Sequence, residues 1–271
     1  MRELTSFPPK RPKPALYEYA HIPDIYPIVE ALKNIAHPEV WEYSKLDPER
    51  PWPILKNYLL HTFHRVKEEG KVLERGAYSC FNTGLITENQ QEIFMLFKKF
   101  EGKPKFNPLD FCRESDGNLN RFAPLPERAS YFTDHTELTY DTRLDLRINI
   151  DHIIDDPQNL ERFSDDLKAL KKQQLINTFH GAIDHAKKRL KRNYKTAIPQ
   201  FYRGKFQPEG QLQLLLPLCF TDATKADLAL AVYKVKNGDE HFYSGRTCLT
   251  LDMAINNARL ITRPDDEWLK P

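Results

Sequence analysis

The residues best suited to chemistry are concentrated between His180 and Lys205, in the segment HGAIDHAKKRLKRNYKTAIPQFYRGK. Between Asp184 and Glu209 the chain has eight Lys or Arg residues and no acidic residue. Because an exposed patch of one charge sign attracts ions of the other sign, this segment predicts an anionic partner. RNA or another polyanion is the expected ligand, since phosphate groups bind to Lys and Arg.

The basic segment has the periodicity of a helix, because apolar residues recur three and four positions apart: Ile176, Phe179, Ile183, Ala186, Leu190 and Tyr194. The residues on roughly the opposite face are His185, Lys188, Arg189 and Arg192. One interpretation is a phosphate-binding face on which His185 is a general acid or base and Arg189 stabilises negative charge. The other is the solvated outer face of a core helix, with Asp184 and Lys188 as an i,i+4 ion pair.

Aromatic and basic residues are interleaved where this helix ends, in NYKTAIPQFYRGK. Pro199 stops the helix and favours an extended conformation at Ile198. The aromatic side chains here either stack on unpaired RNA bases or belong to the core: Tyr194, Phe201 and Tyr202. Tyr194 and Gln200 are therefore counted as candidate substrate-binding residues.

A second group of candidates lies on a strand predicted from Leu144 to Asp151, where apolar and polar residues alternate. Arg147 and Asn149 lie on its polar face and are candidate ligand contacts. His152 follows at the strand end, as either a catalytic acid or base or a core histidine. Arg147 to His152 also matches R-x4-H, which some ribonuclease families place on a helix, but the period of two excludes that family here.

The remaining candidate substrate-binding residues are scattered along the chain. Asn82 belongs to an Asn-Thr-Gly interruption of an apolar strand, which indicates either a ligand contact or a sheet irregularity. Arg246, Asn257 and Arg259 lie in the C-terminal third, where they can supply cations and hydrogen bonds to a ligand.

The pattern of elements predicts an α+β fold with a helical N-terminal part and antiparallel sheets. Strands are expected at 78–87, 92–97 and 109–112, after helices near 25–32 and 52–69. The basic helix is followed by three apolar runs that predict an antiparallel meander, at 212–220, 228–235 and 242–251. Asp252 is expected to cap a final helix from Met253 to Ile261.

Three regions are predicted from these elements. Residues 1–14 form a basic, proline-rich arm that either adds phosphate contacts or is a disordered lead-in. Residues 15–165 form an N-terminal α+β lobe, and residues 166–271 form a C-terminal lobe with the helix and the meander.

Composition excludes several classes of protein. The net charge is only +2 over 271 residues, so the basic segment is balanced by acidic stretches elsewhere. No apolar run approaches the roughly 20 residues that span a bilayer, and no signal peptide is evident, so a cytoplasmic protein without membrane contact is expected. Neither GxGxxG nor GxxxxGK[ST] occurs, and no cofactor is predicted.

No metal site is predicted. The four cysteines are far apart and form no CxxC pair, which favours free thiols in a reducing compartment. His61 and His64 lie three positions apart on a predicted helix but have no evident further ligands. A carboxylate cluster that binds Mg²⁺ is less favoured, because its residues have no companion ExK pattern: Asp145, Asp151, Asp155 and Asp156.

Several motifs together resemble an uncharacterised prokaryotic family that has only a domain-of-unknown-function label. They are FNTGL (81–85), RINIDHI (147–153), AIDHAKKRLKRNYKTAIPQFY (182–202), LLLPL (214–218), TCLTLDMAINNARLI (247–261) and WL (268–269). The resemblance extends from about Leu16 onward. Some members are joined to cold-shock or LOTUS-type RNA-binding modules, so the resemblance implies a role with RNA, but it identifies no catalytic residues.

The favoured hypothesis is an RNA-binding protein that uses its basic helix. Whether it is also an enzyme is left open; if so, a metal-independent endoribonuclease is expected, since a basic helix before a meander resembles the barnase and RelE type. The alternative is a small-molecule or nucleotide-processing enzyme with a pocket between the two lobes. Residues for such a pocket are Asn82, Arg147, Asn149, Gln200 and Asn257.

Overall fold

The computed structural model of the chain describes residues 13–43, 45–204, 207–263 and 268–269. These residues form helices and two largely antiparallel sheets, so the predicted α+β class is confirmed. The predicted basic arm lies outside the described residues except for Lys13 and Pro14.

Contacts divide the chain into two compact units, and each is made of two segments. The first unit consists of Met1–Glu39 and Leu55–Ala129, and the second of Val40–Ile54 and Ser130–Pro271. The division near residue 130 differs from the boundary predicted near residue 165. The reason is that the strand Asp145–Ile148 comes before residue 165 and pairs with a strand of the second unit's sheet.

The first unit contains helices and a four-stranded antiparallel sheet. Its helices are α1 (Ala15–Tyr19), α2 (Tyr26–Ile35) and, from Leu55 onward, α3 (Pro53–Glu68). Its strands, in sheet order, are β1 (Leu73–Arg75), β2 (Tyr78–Ile86), β3 (Glu92–Lys99) and β4 (Phe106–Arg113). Phe63 of α3 packs edge-on against Phe81 of β2 and Phe97 of β3, with ring centroids 5.0 and 6.2 Å away. Burial of these large rings stabilises the unit.

The Asn-Thr-Gly interruption is an irregularity of β2 that a tyrosine approaches closely. The pairing of β2 with β3 shifts between Asn82 and Ile86, and Gly84 adopts a φ of +74°. Tyr58 of α3 donates a hydrogen bond of 3.0 Å to the carbonyl oxygen of Thr83. A Cβ atom at Gly84 would lie 2.7 Å from the Tyr58 hydroxyl, so only glycine fits this position without a shift.

The second unit is a five-stranded sheet with helices before, between and after its strands. In chain order the elements before the long helix are β5 (Asp145–Ile148), α4 (Ile150–Asp155), α5 (Pro157–Leu160) and α6 (Asp165–Lys168). The long helix is α7 (Lys172–Arg192). The remaining elements are β6 (Ile198–Gly204), β7 (Gln207–Leu218), β8 (Leu228–Asn237), β9 (Glu240–Leu249) and α8 (Leu251–Arg259).

Strands β6 to β9 form an antiparallel meander, and β5 adds to the β9 edge in parallel orientation. The three predicted apolar runs are therefore strands of a meander, and β6 extends it by one strand. The apolar stripe of α7 packs on one face of this sheet, with Phe179, Ile183 and Leu190 buried among leucines of β7 and β8. Tyr194 does not continue the stripe, because α7 ends at Arg192 and the Tyr194 side chain is 65% exposed.

Two local predictions are wrong. The strand predicted to reach Asp151 ends at Ile148, because the Asn149 side chain accepts a hydrogen bond from the His152 amide and caps α4. His152 is therefore an exposed helical residue and not a core histidine. Asp252 does not cap the final helix; Thr250 does, by accepting a hydrogen bond from the Met253 amide.

Candidate anion-binding cavity

An open cavity of about 580 Å³ lies in the second unit, where β5, β9, α4 and α7 meet. Two arginines, one histidine and one aspartate line it together with smaller polar and apolar groups. The lining residues are Arg147, Ile148, Asn149, Ile150, Asp151, Ile176, His180, Phe242, Ser244 and Arg246. The volume is within the range of about 300–1,000 Å³ that is typical of ligand sites.

Strand pairing brings the two arginines to one place although they are 99 positions apart in the sequence. Arg147 of β5 lies opposite Ser244 of β9 in the parallel ladder. Arg246 is the extra residue of a β-bulge in β9, because its neighbours Gly245 and Thr247 pair with consecutive residues of β8. Such a bulge redirects a side chain, which explains how Arg246 reaches the cavity.

Arg147 is held in place by an aromatic ring. Its guanidinium carbon lies 3.9 Å from the centroid of the Phe242 ring, in a cation–π contact across the two strands. Within the part of the chain that the structure describes, no salt bridge joins Arg147 or Arg246 to a carboxylate. The N–H groups of a stacked guanidinium remain available to an anion, which it can bind through two parallel hydrogen bonds.

Two groups that can transfer protons face the same cavity from different helices. His180 lies one turn after Ile176 on α7, and Asp151 lies in the first turn of α4. Both side chains are exposed. Imidazole can donate or accept a proton near neutral pH, and a carboxylate can accept one.

Of the candidate residues predicted from the sequence, the cavity contains Arg147, Asn149 and Arg246. The basic face predicted on α7 lies elsewhere on the helix: His185, Lys188, Arg189 and Arg192 do not line the cavity. The Arg189 guanidinium lies 3.7 Å from the Cys219 sulfur. Burial raises the pKa of Cys219, and the charge of Arg189 opposes that rise. His152, also a predicted catalytic residue, is exposed on α4 outside the lining.

Two other candidates belong to a partly buried amide network that connects β6, β7 and α8. Asn257 donates a hydrogen bond of 3.0 Å to the Gln200 side-chain oxygen. Gln200, with no exposed surface, donates in turn to Gln213 at 2.8 Å. These hydrogen bonds satisfy the side chain of Gln200, whose burial would make an unpaired amide costly.

The last three candidates also lie outside the cavity. Asn82 is buried in the first unit, where its amide group bonds to Glu92, Pro126 and the Gly84 amide. Arg259 stacks on the Trp41 ring, with 5.0 Å between its guanidinium carbon and the ring centroid. Tyr194 is exposed beyond the end of α7.

Four other lining side chains contribute polar or aromatic groups and were not among the predicted site residues, although Asp151 belongs to the less favoured carboxylate cluster: Asp151, His180, Phe242 and Ser244. His180 was not predicted because the candidate residues of α7 lie on the face opposite the apolar stripe, whereas the cavity lies beside the stripe. The sequence signal that could have identified His180 is its i,i+4 spacing from the half-buried Ile176, which places both residues on one side of the helix.

Two other kinds of feature, a metal site and a membrane-spanning helix, are absent from the described residues. They contain no group of three or more His, Cys, Asp or Glu residues placed to hold a metal ion. Within the same ranges, no helix is both long enough and apolar enough to cross a bilayer.

Fold and cavity together define an α+β protein whose second unit has a meander, a parallel edge strand and an arginine-lined cavity. The chain belongs to the family described as Domain of unknown function (DUF3825), whose model matches residues 32–268. The resemblance to an uncharacterised family is thereby confirmed. No curated protein and no solved structure matches the chain.

Proposed function

We propose that the second unit binds single-stranded RNA and that its cavity holds a backbone phosphate between Arg147 and Arg246. The observation that carries the proposal is the presence of these two arginines in one open cavity, without a salt bridge to either among the described residues. A phosphate is the ligand that satisfies two guanidinium groups best, because its oxygens accept paired N–H donors.

The exposed end of α7 extends this binding surface. Lys188, Lys191 and Arg192 are exposed there, and Lys188 lies about 12 Å along the helix axis from His180 at 1.5 Å per residue. Tyr194, which follows Arg192 and precedes Lys195 in the chain, is 65% exposed. An exposed tyrosine near cations is suited to stacking on an unpaired base, which contributes about 1–3 kcal/mol per base.

RNA is preferred to other polyanions for a reason that comes from the family resemblance. That resemblance includes members joined to cold-shock or LOTUS-type RNA-binding modules, and it supports RNA by association. We also place the activity in the cytoplasm, because four free cysteines favour a reducing compartment.

The test measures the affinity of a fluorescein-labelled single-stranded RNA by anisotropy from 50 to 300 mM salt, for wild type and Arg147→Gln/Arg246→Gln. We expect the double variant to lose at least about 100-fold in affinity, because each of the two charged hydrogen bonds contributes about 1.5–3 kcal/mol. The slope of log affinity against log salt should fall by about 0.7 for each lost phosphate contact. Arg113→Gln, an exposed charge loss on β4, is the matched control.

Unchanged affinity and slope in the double variant would contradict the assignment of the cavity. Competition by a nucleoside monophosphate distinguishes a cavity that binds RNA from one that binds a mononucleotide. If the mononucleotide binds to the cavity and RNA does not, the nucleotide-processing alternative replaces the RNA proposal.

A further inference from the structure

The geometry points to a catalytic role for the same cavity: His180 and Asp151 form an acid–base pair that cleaves RNA at the phosphate held by Arg147 and Arg246. This inference rests on the proposed RNA binding and adds a reaction to it. The reaction is an internal transesterification that needs no metal ion and no other reactant.

His180 and Asp151 are positioned to act on the same bound phosphate. His180 and Asp151 reach the cavity from different helices, α7 and α4, and both arginines line the same space. A phosphate bound in this cavity is therefore near both a carboxylate and an imidazole. General acid and base groups on opposite sides of a phosphodiester are what its transesterification requires.

The side chains of Asp151 and His180 are both available for proton transfer. Asp155, one turn further along α4, is bound by Lys172 at 2.7 Å, whereas Asp151 forms no salt bridge with a described residue. Similarly, His64 on α3 bonds to Glu68 at 3.0 Å. His180 has no such carboxylate partner in the described ranges and is exposed to the cavity.

The chemistry balances with these groups alone. The Asp151 carboxylate takes the proton of the ribose 2′-hydroxyl, and the 2′-oxygen attacks the phosphorus. The bond from phosphorus to the 5′-oxygen breaks, and protonated His180 donates its proton to that oxygen. The products are a 2′,3′-cyclic phosphate and a 5′-hydroxyl, and both side chains return to their starting states by proton exchange with solvent.

The arginines supply the third requirement, which is stabilisation of charge. The pentacovalent intermediate carries one more negative charge than the bound phosphodiester. Arg147 is already oriented by its stack on Phe242, so its N–H groups need little reorganisation when that charge develops.

The experiment follows cleavage of an end-labelled single-stranded RNA in EDTA and identifies the product ends by mass spectrometry. Wild type should yield 2′,3′-cyclic phosphate ends. His180→Gln and Asp151→Asn should each slow cleavage by at least about 100-fold while RNA affinity stays within about twofold. His241→Gln and Asp166→Asn, exposed residues outside the cavity, are the matched controls and should cleave as wild type does.

A second substrate distinguishes failure of the inference from failure of the proposed function. RNA with 2′-O-methyl riboses should bind as tightly as the natural strand but remain intact. Binding of natural RNA without cleavage in EDTA would overturn the catalytic role and leave RNA binding in place. Cleavage that requires Mg²⁺, or that survives both active-site variants, would overturn it too, whereas absence of all RNA binding would overturn both proposals.

Discussion

Replacement of Gly84 by alanine is expected to destabilise the first unit by about 2–3 kcal/mol. Holding an alanine at a φ of +74° costs about 1–2 kcal/mol, because the left-handed region is strained for residues with a Cβ. The new Cβ would lie 2.7 Å from the Tyr58 hydroxyl and displace it from the Thr83 carbonyl oxygen. Loss of that hydrogen bond adds about 0.5–1.5 kcal/mol.

Urea unfolding followed by far-UV circular dichroism measures this loss, and a second glycine provides the control. Gly76 has a φ of +60° and nothing within 4 Å of the position of a Cβ. Gly76→Ala should therefore lose only the conformational part, about 1–2 kcal/mol. Equal losses at Gly84 and Gly76 would refute the reasoning that the tyrosine limits this position.

A double-mutant cycle measures the interaction between Gly84→Ala and Tyr58 directly. In Gly84→Ala the short contact is with the hydroxyl oxygen, while the ring carbon that carries it is 4.0 Å away, an ordinary contact. Tyr58→Phe removes the oxygen, so the double variant should lose less free energy of unfolding than the two single variants summed. Additive losses would show that the two residues do not interact as described.

Further predictions concern thiols, a carboxyl group and the amide network. At pH 8 a thiol reagent should modify only Cys219 in the folded protein, because Cys219 is partly exposed whereas the other three cysteines are buried: Cys80, Cys112 and Cys248; rapid reaction of all four would contradict this. Hydrogen bonds from Arg143 lower the pKa of Asp141 to about 2. Asp141 therefore stabilises the fold above about pH 4, a contribution lost as pH falls to about 2. Carboxyl NMR should show that Arg143→Gln raises this pKa. Gln200→Leu should cost about 1–3 kcal/mol in urea unfolding, because Asn257 loses its buried acceptor; an unchanged midpoint would refute this.

Regular elements could be predicted from the sequence because their periodicity is local. The stripe from Phe179 to Leu190 has the spacing of a helix, and α7 contains it. The end of β5 was missed because Ile148 and Ile150 continue the alternation of the strand into the first turn of α4. Asn149, a favoured N-cap residue, was the signal of that boundary.

The cavity could be predicted only in part. Arg147, Asn149 and Arg246 were recognised as polar groups on or near strands, which is a property of each residue by itself. Their proximity depends on the parallel pairing of β5 with β9, which no local pattern specifies. His180 enters the cavity for the same reason, because the position of α7 relative to the sheet edge is a tertiary property.

The pairing of β5 with β9 also determines when the cavity can form during synthesis. Phe242, the partner of Asp145, is translated 97 residues later, which takes on the order of 5–20 s at bacterial and eukaryotic rates. During that interval β5 has no partner strand. Its four residues include Asp145 and Arg147, and short, charged strands resist pairing with other chains. The charge of Arg147 thus helps to protect the nascent strand before β9 has been synthesised, and the cavity that Arg147 lines can form only afterwards.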